Sequence, residues 1–133
     1  MFRKFKFAGF TLIELMVVIL IVGVLAAASV PLMRGKIDRS KWTEANAAAG
    51  SIRTAMKTYF METGNTVTGS LDDASVQQAL EVQSGDFTGS YFGPSDYVID
   101  SVSAEGVAVI TATGSQTNAP SGSKTLAVNG TFE

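Results

Sequence analysis

The sequence contains no cysteine and no histidine among its 133 residues. Without cysteine, disulfide bonds and thiolate metal sites are excluded. Without histidine, the chain lacks the commonest general base and the commonest metal ligand. Catalysis would have to rely on carboxylates, lysine or serine, so we expect a protein that is not an enzyme and that binds no metal or cofactor.

Charge is absent from one long stretch. Residues 15–33 are nineteen consecutive positions without a charged side chain, enough for a helix of about 28 Å. Basic residues flank this stretch, with Arg3, Lys4 and Lys6 before it and Arg34, Lys36, Arg39 and Lys41 after it. The stretch is therefore predicted to span a membrane, but basic residues on both sides leave its orientation open.

Acidic side chains dominate the rest of the chain. Residues 42–133 contain ten acidic residues and three basic ones, a net charge of -7. Proteins bind nucleic acid largely through attraction between basic side chains and phosphates. We therefore expect this part of the chain not to bind nucleic acid directly.

An amphipathic pattern follows Pro31. Apolar residues between positions 37 and 60 recur at steps of three and four residues, which is typical of one helix face. The pair Gly64-Asn65 favours termination of a helix. We predict one helix over residues 11–63, apolar all round in its first half and amphipathic in its second, which Pro31 bends or loosens.

The β signals lie in residues 64–133, the C-terminal head. Ser70 followed by Asp73 fits a capping box that opens a short helix ending at Leu80. Alternating apolar and polar residues predict three strands, and one further segment is a candidate fourth. These segments are "YVIDSVS" at 97–103, "VAVITAT" at 107–113, "KTLAV" at 124–128 and, as the fourth, "DFTGSYF" at 86–92.

An antiparallel sheet of this size needs a cover for one face. The apolar stripe from Ala45 to Phe60 supplies one, because it belongs to the amphipathic half of the predicted helix. The predicted fold class is therefore α+β, with a long N-terminal helix packed on a small antiparallel sheet.

Two weak chemical patterns occur in the head. Its aspartates lack the Asp-x-Asp-x-Asp-Gly spacing of a calcium loop, so we interpret them as exposed carboxylates. Ser121 and Lys124 fit a Ser-x-x-Lys pattern, but they follow Pro120 and lead into a strand, so we interpret this segment as a loop. The aspartates are Asp72, Asp73, Asp86, Asp96 and Asp100.

The strongest motif is "GFTLIEL" at residues 9–15, directly after "RKFKFA". It resembles the processing site of type IV prepilins and type II secretion pseudopilins, and the likeness extends through Pro31. The resemblance implies that a membrane-embedded prepilin peptidase cuts between Gly9 and Phe10 on the cytoplasmic side and then methylates the Phe10 amine. Together with the helical periodicity and the change in composition at Gly64, it divides the chain into a leader at 1–9, a transmembrane and assembly half at 10–33, an amphipathic half at 34–63 and the head at 64–133.

Glu14 is the one acid in the apolar segment. A charged side chain at a bilayer centre costs about 2.5 to 3.5 kcal/mol on insertion scales, which marks it as functional. The resemblance implies that Glu14 pairs with the Phe10 amine of a neighbouring subunit during assembly, and that the helix near Pro31 unwinds locally. A simpler interpretation is that Glu14 only complements the helix dipole in the first turn.

The family resemblance also implies partners and a location. The expected assembly is a homo-oligomeric helical filament, built from precursors held in the bacterial inner membrane with the leader in the cytoplasm. The expected partners are the prepilin peptidase and methyltransferase and an inner-membrane assembly platform. The filament would be an extracellular pilus, used in adhesion, motility or DNA uptake, or a periplasmic pseudopilus used in secretion.

One alternative has no filament. An ordinary secretory signal peptide would have its apolar region at residues 15–25 and its cleavage site after Ala28. The product would be a soluble exported protein. In that case Glu14 would have no role in the mature chain.

Overall fold

The computed structural model describes residues 9–133. The chain divides into two compact units, one ending at Lys36 and the other comprising Ile37–Glu133. Helix α1, Leu12–Thr63, contributes to both. The predicted long helix is therefore confirmed. It ends where expected, because Gly64 has a φ of 70° and its N–H donates to the Phe60 carbonyl at 2.9 Å.

The first unit contains the apolar half of α1. Every residue from Leu12 to Ser40 is exposed. Among the described residues, α1 is the one helix long and apolar enough to cross a membrane. Pro31 lies inside α1, and helical structure is assigned on both sides of it, so local unwinding at this proline stays a prediction.

The second unit contains a four-stranded antiparallel sheet in the order β1-β2-β3-β4. The strands are β1 Gly69–Ser70, β2 Tyr97–Val102, β3 Ala108–Thr113 and β4 Ser123–Leu126. Ile110 pairs with Ile99 on one side and with Leu126 on the other. The hairpin of β2 and β3 confirms the two strands predicted from alternation in the sequence. Strand β4 begins one residue earlier and ends two residues earlier than the predicted segment at 124–128.

The core joins α1 to the sheet. Ala45, Ala49, Ile52 and Met56 are completely buried on one face of α1, in the same apolar cluster as residues of β2, β3 and β4. Their spacing of three and four residues confirms the predicted stripe. The α+β fold class, a long helix packed on a small antiparallel sheet, is therefore confirmed.

The short helix of the head begins later than predicted. Helix α2 is Ala74–Leu80, and its N-cap is Asp73, whose Oδ1 accepts from the Ser75 N–H at 2.9 Å. Ser70 is part of β1 instead. Asp73 takes the N-cap position because its carboxylate can satisfy a free N–H of the first turn.

The fourth strand was predicted in the wrong place. Residues 86–92 form no strand: a 3-10 turn covers Ser84–Phe87 and irregular backbone follows it. Backbone N–H groups in this region bond to carboxylates rather than to a neighbouring strand. The fourth strand is β1, whose two residues are too short to show alternation.

The prediction of exposed aspartates is wrong for one residue. Asp96 is only 3% exposed, whereas Asp72, Asp73, Asp86 and Asp100 are exposed. The Asp96 carboxylate accepts the Gly93 N–H at 2.8 Å and the Ser115 hydroxyl. These two donors compensate for the loss of water around a buried carboxylate. Ser123, expected in the loop that precedes the predicted strand, belongs to β4.

Candidate functional site

Thr11 and Glu14 cap the first turn of α1 through reciprocal hydrogen bonds. The N–H and the hydroxyl of Thr11 both donate to Glu14 Oε2 at 2.9 Å, and the Glu14 N–H donates to Thr11 Oγ1 at 3.3 Å. This is a capping box, which satisfies N–H groups that have no partner within the helix. Glu14 therefore has a structural role within its own subunit. Sequence analysis missed Thr11, although the Thr-x-x-Glu spacing was its signal.

The Glu14 carboxylate keeps a free oxygen. Among the described residues, Oε1 accepts no hydrogen bond and forms no ion pair, and the side chain lies at the surface. Phe10, 86% exposed, borders the same apolar depression of about 370 Å³ as Glu14. The structure thus places two of the predicted assembly residues together and leaves both accessible, while Pro31 lies farther along α1.

Gly9 is exposed and makes no close packing contact. A Cβ built at this position meets no atom within 4 Å in the described structure. Packing of the described residues therefore does not explain a glycine here. A peptide bond flanked by glycine in exposed, non-helical backbone is open to close approach by another protein.

The apolar half of α1 exposes large side chains all round the helix. Leu15, Ile19, Leu20 and Leu25 are each at least 60% exposed. Isolated soluble proteins rarely leave apolar patches of this extent in water. This half of α1 therefore requires another apolar environment, either lipid or neighbouring helices.

In the second unit, Glu44 of α1 binds an irregular loop. Its Oε1 accepts the N–H groups of Tyr91 and Phe92 at 2.9 and 3.1 Å, and its Oε2 accepts that of Ser90 at 3.2 Å. A Cβ at Gly89 would overlap the Glu44 carboxylate, which explains the glycine at this position. The loop is therefore held to α1 by a charge-assisted contact that sequence analysis missed.

Arg53 connects α1 to the sheet. Its Nε donates to the Ala108 carbonyl at 2.9 Å, and its Nη2 donates to the carbonyls of Leu126 and Ala127 at 2.8 and 2.7 Å. Burial lowers the pKa of Arg53 from its ordinary value, but an arginine stays protonated. The guanidinium thus bonds to the backbone of β3 at Ala108 and to the backbone at the end of β4, at Leu126 and Ala127.

The turn between β2 and β3 packs against the same helix. Lys57 donates to the Glu105 carbonyl, and Phe60 lies against Gly106, whose φ is 76°. A Cβ at Gly106 would overlap the Phe60 ring. This close approach explains the glycine.

Tyr97 is the most strongly perturbed acid in the described structure. Its side chain is 1% exposed, and burial, followed by the nearby Glu44 and Asp96 carboxylates, raises its pKa well above 10. The phenol is therefore neutral at physiological pH. Its position in the core, at the start of β2, indicates packing rather than acid–base chemistry.

No metal centre is formed by the part of the chain that the structure describes. No three Asp or Glu side chains of residues 9–133 gather closely enough to hold an ion.

Comparison with known proteins agrees with this geometry. The family model described as "Prokaryotic N-terminal methylation motif" matches residues 4–30. The chain is 37% identical over 125 residues to Fimbrial protein EcpC of Eikenella corrodens, which covers 92% of this chain and 74% of that protein.

Two shorter matches are to proteins named as a major fimbrial protein and a major pilin. The chain is 43% identical over 54 residues to a Type IV major fimbrial protein FimA of Dichelobacter nodosus, covering 41% of this chain and 35% of that protein. It is 46% identical over 54 residues to Type IV major pilin protein PilA of Myxococcus xanthus, covering 41% and 24%. The motif at the N-terminus, the match to EcpC through most of both chains and the long helix on an antiparallel sheet together show that this chain belongs to the type IV pilin family.

Proposed function

We propose that this chain is a structural subunit of a type IV pilus filament, polymerised through its N-terminal helix. The observation that carries the proposal is the apolar half of α1, which is exposed all round and most of which lies within the methylation motif matched at residues 4–30. A helix apolar on all sides suits two environments in turn. It is stable in the bilayer as a precursor and then among identical helices in the filament, so little apolar surface meets water.

Processing precedes assembly. A prepilin peptidase cleaves between Gly9 and Phe10 from the cytoplasmic side and methylates the new Phe10 amine. The exposed, unpacked Gly9 supports access to that peptide bond. Helix α1 begins at Leu12, so the cleaved bond lies outside regular hydrogen-bonded structure.

The Phe10 amine then pairs with Glu14 of a neighbouring subunit. Glu14 Oε2 is occupied by the capping box, whereas Oε1 has no partner among the described residues. A carboxylate moved into an apolar filament centre without a counter-charge is costly, and the correct alignment of subunits removes that cost. Glu14 therefore selects the axial alignment while it caps its own helix.

Location and remaining partners follow from this route. The precursor spans the inner membrane with the leader in the cytoplasm, and an inner-membrane assembly platform transfers it to an extracellular pilus. Local unwinding near Pro31 accommodates the apolar half in the filament. The names of the curated relatives, which are fimbrial and pilin proteins, favour a pilus over a secretion pseudopilus. Cleavage after Ala28 is disfavoured, because Ala28 lies within α1.

Mass spectrometry of the mature N-terminal peptide tests this function. The peptide is taken from a membrane fraction and from material sheared off the cell surface. We expect a methylated peptide beginning at Phe10 in both fractions. A chain beginning at Ser29, or the absence of the protein from the sheared fraction, would contradict the proposal.

A further inference from the structure

One side of the second unit carries a cleft of about 340 Å³ lined by two basic and two aromatic residues. We call it the basic cleft; it is formed by Arg39, Trp42, Lys124 and Phe132. Lys124 Nζ lies 6.0 Å from the centroid of the Trp42 ring and 5.7 Å from that of Phe132. The two rings meet edge to face with centroids 6.1 Å apart. The ammonium group thus lies beside both rings, about as far from each as a cation–π contact allows.

Neither cation of the basic cleft has an anionic partner within the described residues. The one ion pair found there joins Lys41 to Asp38, with Nζ and Oδ1 3.8 Å apart. The side chains of Arg39 and Lys124 also donate no hydrogen bond to residues 9–133. Arg39 is exposed and Lys124 is partly exposed, and neither charge is paired with a carboxylate of the described residues, which suits an anionic partner.

A second groove, of about 420 Å³, lies between the end of α1 and α2. We call it the acidic groove, because Glu62 and Glu81 line it with Tyr59. Both glutamates are exposed, and neither carboxylate forms an ion pair among the described residues.

Glu81 ends α2 with its side chain at the surface. It has a φ of 54°, and it is the one non-glycine residue with positive φ in the described structure. This conformation caps the helix, because the Glu81 N–H donates to the Gln78 carbonyl at 3.4 Å and the Val82 N–H donates to the Gln77 carbonyl at 3.0 Å. The Glu81 side chain is exposed and borders the acidic groove.

The two surfaces lie far apart on the second unit. Trp42 and Glu62 are twenty residues apart on α1, so they are separated by about 30 Å along the helix. One subunit cannot bring them together. Two different, complementary surfaces on one chain produce a head-to-tail contact, which generates an open filament when it repeats without closing.

We propose that the basic cleft of one subunit binds the acidic groove of another, with Arg39 and Lys124 facing the carboxylates of Glu62 and Glu81. The inference rests on the proposed function, because it specifies one contact of the filament. A second copy is the favoured occupant, because every copy presents two exposed carboxylates beside an aromatic ring in the acidic groove. These carboxylates are complementary in charge to Arg39 and Lys124 of the basic cleft.

Disulfide trapping tests the contact without background, because the natural chain has no cysteine. Filaments are assembled from full-length subunits carrying both Lys124→Cys and Glu81→Cys, and then oxidised. We expect a ladder of covalent oligomers. Subunits that carry only one of the two cysteines should form no covalent oligomers. The matched control combines Asn118→Cys with Glu81→Cys. Asn118 is an exposed loop residue that does not line the basic cleft, so this double variant should give no ladder.

A charge exchange provides the second measurement. Arg39→Glu with Lys124→Glu should lower the amount of sheared filament by roughly tenfold, because like charges then face each other across the contact. Adding Glu62→Lys and Glu81→Lys to the same chain should restore it. The amount of processed precursor in the membrane should be unchanged in every variant, because the substituted side chains lie outside the apolar span.

The outcomes separate this inference from the proposed function. If the natural chain forms no filament, the proposed function fails. If the natural chain forms filaments but the cysteine pair gives no ladder and the charge exchange does not restore assembly, the contact is wrong and the function stands. Loss of precursor from the membrane in Arg39→Glu with Lys124→Glu, without restoration by the exchange, would assign the basic cleft to lipid headgroups and overturn the contact.

Discussion

The Glu14 carboxylate caps the helix that carries it, since a single oxygen accepts both the N–H and the hydroxyl of Thr11 at 2.9 Å. The other oxygen has no partner among the described residues. One side chain thus combines a local structural contact with the charge proposed to align subunits. The two roles can be separated, because different substitutions remove them.

The first prediction concerns the charge of Glu14. Glu14→Gln keeps a side-chain oxygen that can accept from Thr11, but it removes the negative charge. We expect normal leader cleavage and membrane insertion and a loss of sheared filament of at least about tenfold, because the Phe10 amine would be buried without a counter-charge. Immunoblots of membrane and sheared fractions measure both quantities.

Thr11→Ala is the matched control. It removes the hydroxyl of the capping box, which costs about 1 kcal/mol of helix stability, and leaves the Glu14 charge in place. Filaments should form at nearly the natural level. Normal filament levels in Glu14→Gln would show that the Glu14 charge is not required for assembly.

The second prediction concerns Arg53. Arg53→Met keeps much of the apolar stem and removes hydrogen bonds to three carbonyls. We expect the free energy of unfolding of the second unit to fall by about 2 to 4 kcal/mol, because bonds from a charged donor are strong and the part-buried carbonyls lose their partner. Urea unfolding of the detergent-solubilised chain, followed by Trp42 fluorescence, measures the change.

Ser51→Ala serves as the control for Arg53→Met. The Ser51 hydroxyl is exposed and donates only to the Ala47 carbonyl one turn earlier in α1. The expected change is within about 0.5 kcal/mol, as is usual at exposed surface positions. Equal effects of the two substitutions would mean that the Arg53 contacts do not stabilise the sheet against α1.

The third prediction compares two glycines of the sheet region. Gly106 and Gly130 have φ values of 76° and 89°, but a Cβ at Gly106 would overlap Phe60, whereas one at Gly130 meets nothing within 4 Å. Gly130→Ala should therefore cost about 1 kcal/mol from backbone strain alone. Gly106→Ala should cost about 1 to 3 kcal/mol more, because the ring must also move. Thermal unfolding of both variants tests the difference, and equal melting temperatures would contradict it.

The fourth prediction concerns alkaline pH. Burial, with the carboxylates of Glu44 and Asp96, raises the pKa of Tyr97, so the folded state retains this proton more strongly than the unfolded state. The stabilising effect is complete below the unfolded pKa of about 10 and is lost as pH rises above it. Tyr97→Phe has no proton to lose, so its melting temperature should fall less between about pH 8 and pH 11.

Parallel pH profiles for the natural chain and Tyr97→Phe would contradict this interpretation of the burial of Tyr97.

The sequence predicted those features that repeat within a short stretch. The three- and four-residue spacing on α1 and the alternation in the β2–β3 hairpin depend on neighbours in the chain, so both were confirmed. Strand β1 was missed because two residues carry no periodicity. Asp96 was assigned to the surface because its partner Ser115 is nineteen residues away, and only the folded chain brings the two together.

The candidate site likewise contains residues that a short stretch of sequence pointed to and residues that it did not. The motif identified Gly9, Phe10 and Glu14 because it is contiguous, and Thr11 lay within it, detectable from the capping-box spacing. Glu44 and Arg53 gave no local signal, since each binds backbone atoms of residues more than forty positions away. Backbone atoms are common to all residues, so no pattern of side chains marks those contacts in advance.

The apolar surface of α1 from Leu15 to Met33 surrounds the helix rather than forming a stripe. Such a surface has nearly the same affinity for its surroundings at every rotation about the helix axis. It can drive a subunit from lipid into a bundle of helices, but it does not determine which side of the subunit turns towards which neighbour. In the proposed filament, the rotation of each subunit would then be selected by its few directional groups. These are Glu14 in the first turn of α1 and the charged surfaces of the second unit.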